Sequence, residues 1–523
     1  MKEAENNYDS EQSDHLSETH LHDNNDHASY NAYLQKRLHQ EEIAHKQHER
    51  LTNTSYRKLY WQNSLPNIIA SFYNQVMNAL MLVVLSQKDP ELVSAYGFCT
   101  CINLYLSAIA LLIGRGVNNA VSYFFGQDKE EAAESALMNG VYTCFILSGI
   151  NIAILYPLLK YIIPVLGTPK HLVAHAIQYS KIQICCSSVM SLAAVTNGCL
   201  RAQGFPIYVL YGMVMSSTIG LILAYILCSV CNLGIAGYAI AWVSNPAILT
   251  VSNACFMQFL NRIPLKFGLY KPSKIIFSIC AKGASSALNT IAGMIQGIIM
   301  NEGIVYRAST NEVERIAAAR ANVNSITNVI MTTCMTLAMN ATLPLANFTR
   351  GAGMYTRFRQ INLYGLKVTA GIMFGLCVIV LCLSPVLPYI YYSKTEKEEL
   401  ATMRKLLQIF LCGRAFAGPS LSVIELIQST GRNTAATLMG MVRNLIIISP
   451  IMLIILYSNK SVWMFLGGFP IGDICSFLVT VTIIICFRKK LWLSKSAAAA
   501  KEEEHKRLKQ QEDVLTIIAE EDK

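Results

Sequence analysis

Apolar residues run along this chain in blocks of about 20, the length a helix needs to cross roughly 30 Å of hydrocarbon. The blocks fall at 64–86, 93–118, 133–158, 173–198, 206–230, 235–260, 275–300, 314–342, 358–386, 400–428, 434–457 and 462–487. They predict twelve spans. Short polar breaks, many with Gly or Pro, separate them. The most distinctive break is Leu200-Arg201-Ala202-Gln203-Gly204-Phe205-Pro206, and Ile427-Gln428-Ser429-Thr430-Gly431-Arg432-Asn433 echoes it. Gly204 and Gly431 lie 227 residues apart, Asn232 and Asn459 also 227, and Gly126 and Gly351 225. Three breaks at nearly one spacing predict a duplication. With six spans in each half, both halves enter the membrane from the same side, as parallel repeats about an axis along the membrane normal.

The expected fold is therefore an all-α polytopic membrane protein, with about 12 transmembrane helices in two pseudo-symmetric six-helix lobes. The expected divisions are a tail over 1–60, lobes over 61–262 and 263–490, and a cytosolic C-terminal helix over 491–523. Composition agrees. Of the 523 residues, 53% are hydrophobic and 15% charged, with mean hydropathy +0.36; a soluble chain carries about 25% charged residues. The net charge of +10 fits the Lys and Arg excess of cytoplasmic loops, not nucleic-acid binding. Lys129, Arg201, Arg262, Lys266, Lys271, Lys274, Arg350, Arg357, Arg359 and Arg432 fall in or beside loops that share one side with the termini. That asymmetry predicts both termini in the cytosol, and the plasma membrane is the expected location.

The sixteen cysteines are scattered through apolar segments, where Cys acts as a small buried hydrophobe; neither a metal site nor a disulfide framework is expected. Seven of the ten histidines lie in residues 1–55, at irregular spacing. That tail is too polar to form a core and is expected to be disordered, with helix over part of 30–60. The first 30 residues are polar, so the first span must direct insertion itself. From Ala497 onward strong helix formers predict a solvated helix, with Leu508, Val514, Leu515, Ile517 and Ile518 as a docking stripe.

The same breaks carry a resemblance. Leu200-Arg201-Ala202-Gln203-Gly204, the run Gly234-Ile235-Ala236-Gly237-Tyr238-Ala239-Ile240-Ala241, Pro344, and Gly351-Ala352 with Arg357 occur in order. They are followed by Gln428, Gly431 and Arg432, then Arg443 and Pro450, then Trp463, Pro470 and Asp473. Over residues 60–490 the chain resembles the multidrug and toxin extrusion (MATE) transporters of the prokaryotic-type branch. The resemblance implies a secondary antiporter. It would export organic solutes or drugs in exchange for H⁺ or Na⁺ by rocking two lobes around a central cavity, with no cofactor and no covalent chemistry. Its partners would be an organic small molecule and the lipid bilayer, and a monomer is expected. Family members of this branch carry an Asp in the first span after a Tyr-Asn pair. Here the pattern reads Met77-Asn78-Ala79-Leu80-Met81, so Met81 stands at the acid's place and Gly293 near that of a seventh-span Glu.

Ionisable residues inside other spans are functional candidates, because each costs at least about 2.5–3.5 kcal/mol at mid-membrane. Arg115 lies eleven residues before Gly126, about 16 Å along a helix from that break. Arg414 and Glu425 share a face of the tenth span, and Arg320 lies in the eighth. Arg115 and Arg414 are candidates for lining the cavity or locking the lobes; a basic cavity would favour anionic or zwitterionic substrates over the cationic drugs typical of the family. Glu425 and Glu302 are the ion-coupling candidates, with Arg443 or Arg432 as the expected partner of Glu425. Asn78, Asn289 and Gln296 are cavity-lining candidates or interhelical hydrogen-bonding residues. Pro419 is the hinge candidate. Two other readings stay open: a lipid-linked oligosaccharide flippase of related architecture, and a transport-inactive membrane scaffold.

Overall fold

The computed structural model describes residues 38–39, 42–88, 90–165, 168, 170, 172–260, 265, 268, 270–307, 310–390, 397–458 and 461–521. Those residues fold almost entirely into helices. The expectations for His15, His20, His22, His27 and the rest of the far N-terminal tail lie outside them, as does Asn459. A short helix α1 (residues 42–53) precedes the first span. The first half then holds α2 (Tyr56–Lys88), α3 (Pro90–Gly126), α4 (Glu130–Val165), α5 (Val173–Cys185), α6 (Ser187–Ala202), α7 (Pro206–Tyr225) and α8 (Gly234–Phe259). The second holds α9 (Ile275–Arg307), α10 (Thr310–Met335), α11 (Leu343–Gly351), α12 (Tyr355–Leu383), α13 (Lys397–Ser429), α14 (Asn433–Met441), α15 (Ser449–Ser458) and α16 (Val462–Phe487). Helix α17 (Lys495–Glu521) ends the chain.

Among the described residues, eleven stretches are long and apolar enough to cross a membrane, and twelve if the pair α5–α6 is one span. That pair was expected as a single helix over 173–198. It bends by 48° because Cys186 leaves helical geometry, at φ −99° and ψ 13°. Wide π turns join three other pairs: Ile226–Val230 after α7, Thr336–Thr342 between α10 and α11, and Val442–Ile448 between α14 and α15. A π turn leaves a backbone carbonyl free of its usual partner, and such turns gather at functional sites.

The duplication is visible in backbone geometry. Gly204 and Gly431 both have positive φ, 79° and 83°, so each ends its helix in the left-handed conformation that glycine adopts without strain. Asp128 (φ 63°) and Gly353 (φ 71°) are a second pair, 225 residues apart. At both, the next amide bonds back over five residues: Lys129 N–H to Phe124 O at 3.1 Å and Met354 N–H to Thr349 O at 2.9 Å. The core divides in the same way. One large apolar cluster, built around Met300, Phe410 and Phe465, comes wholly from the second half. Another, built around Met81, Tyr179 and Tyr238, comes wholly from the first.

Both terminal helices dock at one end of the bundle. Helix α17 rests on the α11–α12 turn, where Glu502 accepts from the Thr356 amide at 3.1 Å and His505 packs over Gly353. Leu508, expected to dock, is exposed and Ala498 is buried; the side chains of Val514, Leu515, Ile517 and Ile518 lie outside those described.

Candidate functional site

The two halves meet along a seam near the termini end, formed by α3 of the first half against α9 and α11 of the second. Small residues allow the approach. A Cβ added to Gly283 would stand 2.6 Å from the carbonyl carbon of Leu112, and one on Gly116 2.7 Å from a methyl of Ile279. The contacts are reciprocal. Gly126 lies against the Phe348 carbonyl and Gly351 against the Tyr123 carbonyl, so each residue meets the other's counterpart 225 positions along the chain. That is the signature of a two-fold axis passing between the partners.

Arg115 sits on that axis. Its Nη1 donates to the Met339 carbonyl at 2.9 Å and to Asn340 Oδ1 at 2.6 Å. Asn340 is itself 225 residues from Arg115. The π turn Thr336–Thr342 presents both acceptors. Arg201, in the break after α6, joins from the first half: its Nε donates to Asn67 Oδ1 at 2.9 Å and its Nη1 lies 3.4 Å from Asn340 Oδ1. Glu425 of α13 faces Arg115 closely enough for their charges to interact. It is 3% exposed, and its Oε2 has no hydrogen-bond partner among the described residues. No salt bridge to Arg443 or Arg432, expected as partners, is formed by Glu425 among the described residues; Arg115 is the cation within electrostatic range of it. Arg443 is committed elsewhere, to Asp473.

Further seam contacts surround this cluster. Asn347 Nδ2 donates to Asn119 Oδ1 at 2.9 Å, Asn119 reaches the Lys282 carbonyl at 3.3 Å, and Gln428 donates to that same carbonyl. Ser71 and Thr336 share a hydroxyl contact of 3.0 Å, and Gln75 donates to Thr332 at 3.2 Å. Interhelical polar contacts average about 0.6 kcal/mol in membrane proteins, and those that cross between the halves add to the packing of the seam.

A second charged centre lies inside the second half. Arg443 Nη2 donates to Asp473 Oδ1 at 3.0 Å, and Arg414 Nη1 stands 3.9 Å from Asp473 Oδ2. The Arg414 guanidinium carbon lies 4.5 Å from the centre of the Phe469 ring, a cation–π distance. Arg443 and Asn444 occupy the π turn Val442–Ile448. Asn444 also engages two amides of α9: Gln296 Nε2 donates to its carbonyl at 2.9 Å, and Asn444 Nδ2 donates to Asn289 Oδ1.

Arg115 and Glu425 are thus brought together at the seam, while Arg414, Asn289 and Gln296 gather in the second half. Asn78 is half-buried in α2, and Glu302 is exposed near the far end of α9. Helix α13 runs unbroken through Pro419. Met81 is 1% exposed and packs in the first-half apolar cluster; Gly293 faces open space. Sequence reasoning did not pair Asp473 with Arg443 and did not reach Asn340. The repeat offset, applied to Arg115, was the signal that points to Asn340. Among the described residues, no group of three or more His, Cys, Asp or Glu is arranged to hold a metal.

Comparison with known proteins agrees with this geometry. The MatE family model matches residues 66–226 and 312–456. The Multidrug export protein MepA of Staphylococcus aureus (strain MSSA476) is 22% identical over 391 residues, covering 74% of this chain and 84% of that protein. MepA of strain MRSA252 matches to the same extent. Among solved structures, an outward-facing conformation of a multidrug resistance MATE family transporter superposes with TM-score 0.78 at 18% identity, covering 84% of this chain and 97% of that one. A MATE in complex with MaL6 superposes with TM-score 0.75 at 19% identity, covering 84% and 99%. A family match over more than half the chain, on a duplicated twelve-span helical fold, makes this protein a membrane transporter of the MatE family.

Proposed function

We propose that the protein is a secondary active antiporter that exports organic solutes or drugs in exchange for H⁺ or Na⁺. Two lobes, residues 61–262 and 263–490, rock about the axis at Arg115 and alternately open a central cavity to either side of the membrane. Both termini face the cytosol, the protein works as a monomer, and the plasma membrane is its site. The names of the relatives, multidrug export proteins, support drug-like organic cargo.

The observation that carries this reading is the hold of Arg115 on Asn340 across the seam, with Glu425 within electrostatic range of Arg115. In the closed state Arg115 is held by Asn340 and the Met339 carbonyl and attracted by Glu425. An ion that neutralises Glu425 removes that attraction, so it binds the two states with different affinity. Differential affinity is what lets a ligand shift a conformational equilibrium. Arg115 is thus the lock of the closed state and Glu425 the coupling site, taking over from the acid that Met81 replaces. Glu302, exposed near the opposite end, is a second coupling site. Arg414, Asn78, Asn289 and Gln296 line the substrate path, the last two through their hold on Asn444. Pro419 removes one backbone hydrogen bond from α13 between Arg414 and Glu425 and lets that helix flex.

Proteoliposomes tested with an imposed pH gradient and, separately, an imposed Na⁺ gradient give the test. Flux of a fluorescent drug that follows one of these gradients supports the antiporter. Gradient-independent equilibration of a lipid-linked substrate supports the flippase, and no flux of any solute supports the scaffold.

A further inference from the structure

The second-half centre holds two guanidinium groups and one carboxylate. Asp473 is 0% exposed and spends one oxygen on Arg443 at 3.0 Å. Arg414 is left 3.9 Å from the other oxygen, beyond hydrogen-bonding distance, and keeps 14% of its side chain exposed. Arg414 Nε, Asp473 Oδ2 and Ser476 Oγ are buried without a partner among the described residues. Arg414 is therefore the most exposed member of the trio. Its positive charge has no full counter-charge, an expensive arrangement at membrane depth. Beside it, Phe469 and Phe410 stack at 5.8 Å between ring centres. The seam repeats the imbalance, with Arg115 and Arg201 against Glu425.

We infer that the transported substrate is an organic anion, whose acid group is received by Arg414. This rests on the transport reading above. An anion completes the hydrogen bonding of Arg414 and balances the centre's charge; a cation does neither.

Binding to the purified full-length protein is measured by fluorescence, with two dyes of one aromatic skeleton, one bearing a carboxylate and the other a quaternary ammonium. The carboxylate dye is expected to bind at least tenfold more tightly. R414Q, which leaves the Arg443–Asp473 pair intact, is expected to abolish that preference, and R414K, which keeps the charge, to retain part of it. Tighter binding of the ammonium dye, binding of neither, or an R414Q profile equal to wild type overturns the inference. Anion binding that depends on Arg414 but brings no gradient-driven flux leaves the anion site standing and counts against the transport reading alone.

A second inference rests on α1, which precedes the family-matched region. It touches both halves. Gln47 Nε2 donates to the Gln203 carbonyl of the first half at 2.9 Å, and His48 Nε2 lies 3.4 Å from the Gly126 carbonyl. The C-terminal end of α1 is gripped from the second half: the Arg357 guanidinium donates to the carbonyls of Leu51, Thr52 and Thr54. Free carbonyls at a helix C-terminus favour such a cation. Ala44 and Leu51 share an apolar cluster with Phe125 of the first half and Phe348 of the second.

The geometry points to α1 as a strap across the seam that holds the termini end closed, because separating the halves there must break one of its two attachments. Spin labels at Lys129 and Arg432, exposed turns of the two halves, report the opening. Removing residues 1–54, or replacing Gln47, His48 and Leu51 by Ala in the full chain, is expected to shift the distances to longer values and to speed turnover. Distances that respond to substrate but match wild type overturn the strap. Distances that respond to nothing in any protein overturn the strap and the rocking mechanism together.

Discussion

Gly283→Ala probes the seam most sharply. A Cβ there would stand 2.6 Å from the Leu112 carbonyl carbon. Carbon atoms rest about 3.5–4.0 Å apart, so α3 and α9 must separate by about 1 Å. Overpacking of this kind costs about 1–3 kcal/mol. Under the proposed rocking motion only the state closed at the termini end brings these helices together, so the cost falls on that state alone. An equilibrium shift of about 5- to 150-fold follows. Gly293→Ala is the control on the same helix, because a Cβ there meets nothing within 4 Å. Spin labels at Lys129 and Arg432, in a background freed of reactive cysteines, measure the populations. The expected result is a new long-distance population in G283A and a wild-type distribution in G293A. Identical distributions in all three proteins, at matched thermal stability, would refute the claim that this contact closes the seam.

Three other outcomes follow from the same geometry. Gly431→Ala forces a side chain into φ 83°, at about 1–2 kcal/mol, and pushes against the Arg350 guanidinium; a lower melting temperature in detergent is expected. Met81→Asp restores the family's acid but buries it in an apolar cluster, at about 2.5–3.5 kcal/mol or more; size-exclusion chromatography should show less monodisperse protein, and flux assays no new ion dependence. Burial pushes the Glu502 carboxyl up, but hydrogen bonds from Thr356 and the nearby Lys506 outweigh it and hold the group below the usual carboxylate range. Its share of α17 docking is therefore present above the ordinary Glu pKa and lost as pH falls through the lower folded value. Trp492 fluorescence, sensitive to its 4.8 Å contact with Tyr355, should change in that acid window in wild type and not in E502Q.

Much of the fold was legible in the sequence because the bilayer leaves few options. Apolar blocks of spanning length must be helices, and repeated breaks at a fixed offset mark a duplication. The positive-φ pairs Gly204–Gly431 and Asp128–Gly353 confirm that offset in the backbone itself. Charge partners were harder to read. Glu425 and Arg115 are remote in sequence, and only the packing of α3 against the second half brings them together. Asp473 and Arg443 lie on neighbouring spans, yet nothing in their spacing distinguishes that pair from Glu425 with Arg443. Arg115 and Asn340 are different: they share the offset of Gly126 and Gly351, so a residue near the axis must meet its own counterpart. The bend at Cys186 and the docking of α1 had no local signal, since both depend on surfaces supplied by other helices.

Glu425→Gln tests the central claim most directly, because it keeps the shape of the side chain and removes its charge. Proteoliposomes holding wild type or E425Q are loaded with one fluorescent drug and assayed with and without the gradient that drives wild type. The account predicts that E425Q retains exchange of drug for drug without a gradient and loses gradient-driven accumulation. Gradient-driven accumulation equal to wild type in E425Q would contradict it.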